Sequence, residues 1–228
     1  MARGGKRAER PLPRPLPPAE RTVGQLVAES IRLYGRHFLQ ALPLGVVVAA
    51  VNQLTVDADR LLVGGVLLAA APVFSAAYAY ACQLEAEHPA GRRSWLVAIA
   101  AGSLVFVPAA LLFPWFALAS VLWLALVGLA VPAAMRESTS FSASLRRGFE
   151  LGRVDFVHAA GSLATLVILF FLMRIGLALL LESQADNTVR TAIFLSDTVL
   201  APLLFLGGAI LYVDQKARLD SPGDRKKE

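Results

Sequence analysis

Six apolar runs divide this chain, at residues 38–56, 61–84, 94–113, 114–134, 156–181 and 191–212, and short charged segments separate most of them. A helix needs about 20 apolar residues to cross the hydrocarbon layer of a bilayer, and a soluble core calls for no such length. Hydrocarbon also leaves no water to satisfy a free backbone amide, so runs of this kind fold as helices. The predicted fold class is therefore all-α, a polytopic membrane bundle of six transmembrane helices. Composition agrees: 56% of the 228 residues are apolar, 17% are charged and the mean hydropathy is +0.58. Only the Phe113-Pro114 junction parts the third and fourth runs. The two runs form either a tight helical hairpin or two half-spanning segments, and the hairpin gives an even number of spans.

Basic residues orient such a bundle, because loops rich in arginine and lysine stay on the cytoplasmic side. With both termini inside, 19 of the 22 basic residues fall on that side, Arg60 and Arg190 fall outside, and Arg174 lies within the fifth run. The cations sit in tails and alternate loops without interleaved aromatics, which excludes a nucleic-acid surface. Arginine outnumbers lysine 18 to 4 in a chain dominated by alanine, leucine and valine. That is the usage of a GC-rich bacterial genome, and the expected location is the bacterial cell membrane.

Three regions follow. Residues 1–21 form a basic arm around Pro11, Pro13, Pro15, Pro17 and Pro18, expected to be disordered and cytoplasmic; residues 22–215 form the transmembrane domain; residues 216–228 form a short basic cytoplasmic tail. Two amphipathic segments interrupt the pattern. Residues 22–37 open with Thr22 and Gln25 placed as a capping box and align Val23, Val27, Ser30, Ile31, Tyr34 and Phe38 on one face. Residues 139–153 align Phe141, Leu145, Gly148, Phe149 and Gly152 opposite Arg146, Arg147, Glu150 and Arg153. Both are predicted to lie in the membrane interface. A shift of 118 residues places Val23, Val27, Ile31 and Phe38 on Phe141, Leu145, Phe149 and Phe156, the pattern of a duplicated unit.

Motifs for chemistry are scarce. No His-Glu-x-x-His, Gly-x-Ser-x-Gly or glycine-rich phosphate loop occurs, and His37, His88 and His158 are far apart. The single cysteine, Cys82, lies in an apolar run and supports neither a disulfide nor a metal cluster. No metal, cofactor or catalytic residue is expected, and the chain is read as not an enzyme. Ala-Ala-Gly-Ser-Leu occurs at residues 100–104 and 159–163, and Ala71, Ser75 and Ala79 share a helix face; small residues of this kind let helices approach closely. Pro72, Pro108 and Pro202 interrupt spans. Two ionisable residues within spans, Arg174 and Asp197, are expected to form an intramembrane ion pair, because a lone charge there costs about 3 kcal/mol. Arg146, Arg147 and Arg153 are candidate contacts for anionic lipid or a cytoplasmic partner.

The segment Ser144-Leu-Arg-Arg-Gly-Phe-Glu-Leu-Gly-Arg-Val-Asp-Phe156, with Pro132 and Glu137 ahead of it, resembles the hallmark of the bacterial glycerophosphoryl diester phosphodiesterase membrane-domain family. Leu211, Tyr212, Asp214 and Arg218 match that family's closing Leu-Tyr-x-Asp-x-x-x-Arg, and Val23 to Phe38 resembles its opening amphipathic helix. Ser144 and Gly148 stand where the family more often has alanine and serine. In fused members the chemistry belongs to a separate barrel domain, so the resemblance implies a membrane domain without activity of its own.

The expected role is a non-catalytic scaffold or partner protein of the plasma membrane. The alternative is a small transporter or permease component that uses the proline-kinked spans and the Arg174 and Asp197 pair. A dry, closed pair would favour the scaffold, whereas a water-filled cavity at Arg174 would favour the transporter.

Overall fold

The computed structural model describes residues 16–86, 90–137 and 140–221, and every regular element among them is a helix. A 3-10 turn at Pro18–Glu20 leads into α1 (Val23–Arg36), α2 (Phe38–Leu54), α3 (Arg60–Ala86), α4 (Arg92–Leu112), α5 (Ala117–Val127), α6 (Ala130–Glu137), α7 (Phe141–Val154), α8 (Phe156–Leu180), α9 (Asp186–Leu200) and α10 (Pro202–Asp220). Five helical stretches are long and apolar enough to cross a membrane: α3, α4, the α5–α6 pair, α8 and the α9–α10 pair. Helices α1 and α2, bent by 110° at their junction, make a sixth such stretch when taken together, which gives five to six candidate spans. The chain is thus a polytopic all-α membrane bundle.

Local chemistry accounts for the joints. Thr22 and Gln25 close a reciprocal capping box, in which the Gln25 amide donates to Thr22 Oγ1 at 3.4 Å and the Thr22 amide donates to Gln25 Oε1 at 3.0 Å. Residues 113–116 make the tight hairpin between α4 and α5. Ser120 Oγ donates to the Ala109 carbonyl and Trp123 Nε1 to the Val105 carbonyl, both at 2.9 Å, which fixes the register of the two helices. Two spans are broken. The α5–α6 break falls at Gly128, and the α9–α10 break at Ala201, where Pro202 has no amide with which to continue the ladder. Helix α10 is buried around most of its circumference, from Pro202 through Leu206 and Tyr212 to Gln215, and forms the axis of the bundle. Helix α8 buries only His158, Ala159, Ser162, Leu166 and Phe170 and turns the rest of its surface outward.

Close packing uses the small residues. Ala71, Ser75 and Ala79 of α3 are buried, and a Cβ added at Gly102 of α4 would lie 2.7 Å from Ser75 Oγ. Helix α7 crosses the α5–α6 break through Gly148 and Gly152, whose added Cβ atoms would run into the Ala130 amide nitrogen and the Leu126 carbonyl oxygen. Only glycine lets the backbones meet there.

Several expectations are corrected. The faces assigned to the amphipathic helices divide: Ile31 is 51% exposed and Phe38, Phe141 and Phe149 are each about 40% exposed, whereas Ser30, Tyr34, Gly148 and Gly152 of the same sets are buried. The buried faces are Leu26, Ser30, Leu33 and Tyr34 on α1 and Ser144, Gly148, Leu151 and Gly152 on α7. These two sets are also related by the shift of 118 residues, as are the helix bounds Val23–Arg36 and Phe141–Val154. The sixth run starts earlier and ends later than 191–212, since α9 begins at Asp186 and α10 reaches Asp220. Residues 16–21, assigned to the disordered arm, are ordered and packed against α10, and Lys216 and Arg218 belong to that helix rather than to a tail. The proline run up to Pro15, the basic end beyond Ser221, and His88 lie outside the described residues.

Candidate functional site

Polar residues gather at the two ends of the bundle. At the end away from the termini, α2, α8 and α9 enclose a cleft of about 470 Å³. Arg174 lines it and pairs with Asp197, which is buried behind the lining. Arg174 Nε of α8 lies 3.4 Å from Asp197 Oδ1 of α9, and Asn52 Nδ2 of α2 donates to Asp197 Oδ2 at 2.8 Å. The approach of α2 to α9 depends on Gly45, where a Cβ would meet the Thr198 carbonyl oxygen. Burial is uneven: the Asp197 side chain is fully enclosed, whereas 24% of the Arg174 side chain is exposed to the cleft. Oδ1 of Asp197 has no hydrogen-bond donor aligned on it, so the guanidinium contact is a charge contact, and the guanidinium also lies 6.0 Å from the centre of the Phe170 ring.

The walls carry both signs of charge. Arg174 and Arg190 supply cations, Asp57, Glu182 and Asp186 supply carboxylates, and Asn52, Gln53 and Gln184 supply amides. Arg190 Nη2 donates to Asp57 Oδ2 at 2.7 Å, and Gln53 Nε2 donates to the Arg190 carbonyl at 3.0 Å, which ties α2 to α9 at the rim. Asp57 has a φ of 59°, the left-handed region that a residue with a Cβ adopts only under local constraint. None of the lining residues is a serine, cysteine or histidine, and no group of metal-binding side chains occurs among the described residues. Sequence reasoning found Arg174 and its buried partner Asp197 and missed the rim. Asn52, an amide inside an apolar run, is the one signal that could have pointed there.

The other end is a lock of ion pairs. Glu137 of α6 accepts hydrogen bonds from Tyr212 of α10 at 2.8 Å and from Arg147 of α7 at 3.2 Å, and Lys216 Nζ stands 3.4 Å away. Arg21 donates to Asp214 at 2.9 Å, Arg218 donates to Asp155 and to the Arg21 carbonyl, both at 2.7 Å, and Arg136 pairs with Glu85. The chain on either side of α7 and the end of α10 meet in this lock, through Glu137, Arg147 and Asp155 on one side and Tyr212, Asp214 and Arg218 on the other. Arg147 therefore faces inward and does not belong to the free basic surface expected of it. Burial works against its charge, but the hydrogen bonds and charges of Glu150 and Glu137 outweigh that and raise its pKa. Arg146 and Arg153 remain exposed beside a groove of about 500 Å³ that also includes Phe149, Glu150 and Val154.

Comparison with protein-family models, curated proteins and solved structures finds no match for this chain.

Proposed function

We propose that the chain is a non-catalytic ligand-binding protein of the bacterial cell membrane, a small transporter or permease component with both termini in the cytoplasm and the cleft opening outward. The observation that carries this reading is the cleft at Arg174. A purely structural ion pair needs no water-sized space beside it, whereas here an arginine with 24% of its side chain exposed lines the cleft and pairs with a fully buried carboxylate. Walls of mixed sign fit a small zwitterion, its anionic group directed to Arg174 and its cationic group to Glu182 or Asp186. The absence of serine, cysteine and histidine from the lining supports binding over covalent or histidine-based acid–base chemistry. In this reading the breaks at Pro202 and Gly128 serve as joints about which half-spans tilt.

Cysteine labelling tests the reading. The native Cys82 is buried, so the background is low. Ala178→Cys should react with a membrane-impermeant maleimide from outside intact cells, a panel of small zwitterions should slow that reaction, and Arg174→Gln should abolish the protection. A residue at 178 that reacts only from the cytoplasm, or not at all, would overturn the proposal.

A further inference from the structure

The basic end of the molecule carries a second feature, independent of the cleft. Most of its described cations are engaged: Arg21, Arg136, Arg147, Lys216 and Arg218 each face a carboxylate within 4 Å. On α7, Arg146 and Arg153 face none. They stand seven residues apart, two helical turns, with Phe149 between them. The Arg153 guanidinium lies over the Phe149 ring at 5.4 Å, which holds the side chain along the helix and leaves its hydrogen-bond donors outward. Glu150, the carboxylate of the same groove, is already taken by Arg147 at 3.0 Å. The next helix begins at Phe156 with exposed apolar side chains, Val157 among them at 81% exposure, so the strip sits where the polar end gives way to the lipid-facing surface of α8.

From this placement we infer that Arg146, Phe149 and Arg153 form a binding site for the headgroup of an anionic phospholipid in the cytoplasmic leaflet. Each guanidinium offers a planar fork of donors matched to phosphate oxygens, and Phe149 offers an apolar surface to the glycerol and upper acyl chain. Two cations about 10 Å apart along the helix suit one extended diphosphate headgroup or two neighbouring single phosphates. A free phosphate would use the arginines but gain nothing from Phe149.

The test uses the full chain purified in mild detergent, with native mass spectrometry counting retained lipid after addition of phosphatidylglycerol, cardiolipin or phosphatidylcholine. The wild-type chain should retain the two anionic lipids over phosphatidylcholine. Arg146→Gln and Arg153→Gln should each weaken retention about fivefold, the equivalent of about 1 kcal/mol per cation. Phe149→Ala should weaken lipid retention as well, and soluble glycerol phosphate should displace nothing. Arg92→Gln with Arg93→Gln removes two exposed cations elsewhere on the chain and should leave retention near wild type. Equal loss in that control would reduce the strip to diffuse surface charge and overturn the site. Displacement by glycerol phosphate, or selective capture of an acidic peptide with no preference among lipids, would overturn the lipid as occupant. All these side chains lie outside the core, and an unchanged melting temperature for each variant separates lost binding from lost folding.

Discussion

Asp197 and Arg174 illustrate how one ion pair can have two unequal halves. The carboxylate is sealed between α2 and α9, whereas the guanidinium opens onto the cleft. Removing the arginine strands a buried charge, while removing the aspartate leaves a cation that water can reach. Arg174→Leu should therefore destabilise the protein by about 2 kcal/mol, and Asp197→Asn by clearly less, since the amide still bonds Asn52 and the arginine is solvated. Chemical unfolding in detergent micelles measures both, and equal losses would mean that the cleft is dry. The pair was legible in the sequence because two ionisable residues in apolar runs at matching depth have few partners available. Asn52, Asp57 and Arg190 were not, because a polar residue near the end of a run looks the same whether it faces water, a loop or a neighbouring helix.

Helices α1 and α7 show why apolar periodicity misleads at the level of elements in a membrane. In water the apolar face of a helix is the buried one, and spacing alone groups Val23, Val27, Ser30, Ile31, Tyr34 and Phe38 on α1, and Phe141, Leu145, Gly148, Phe149 and Gly152 on α7, into one face each. Against lipid the outward face is the apolar one, and the inward face is chosen for small size and hydrogen bonding. The observed inward sets follow this second rule, with Ser30 and Ser144 bonded to carbonyls of their own helices or flanks and Gly148 and Gly152 against the α5–α6 break. Sequence periodicity found both helices, their bounds within about two residues and their repeat, but put the outward apolar residues and the small or polar residues that dock inward into one set. Gly152→Ala should accordingly cost about 1–3 kcal/mol, because the Leu126 carbonyl oxygen cannot yield to a Cβ. Gly24→Ala on α1, with nothing within 4 Å of its added Cβ, should be neutral or stabilise by up to about 1 kcal/mol through helix propensity. Thermal unfolding of the two variants side by side decides; similar melting temperatures would mean that α7 does not dock through its glycines.

At the scale of the whole molecule, contacts reduce the topologies open to the chain before charge is considered. Arg218 donates to the Arg21 carbonyl and Arg21 to Asp214, so the segment ahead of α1 and the end of α10 lie on the same side of any membrane the bundle crosses. An odd number of crossings would part them. Two arrangements remain, one with both ends in the cytoplasm and one with the whole bundle inverted. Inversion would carry 19 basic residues across during insertion and leave two behind. Retention of basic loops opposes that, because most of these charges lie in short segments near the spans. The ion-pair lock keeps Arg21, Arg136, Arg147, Lys216 and Arg218 with their carboxylates on one side in either arrangement, so the choice between the two rests on the basic loops. Gln184→Cys, in the exposed turn between α8 and α9, should thus react with an impermeant maleimide in intact cells. Ser221→Cys, just past α10, should react only after the membrane is permeabilised. Labelling of both residues from outside would break the shared-end geometry and with it the six-span bundle. The reverse pattern, with Ser221→Cys external and Gln184→Cys protected, would keep the bundle but turn the cleft at Arg174 toward the cytoplasm, where a ligand would have to come from within the cell.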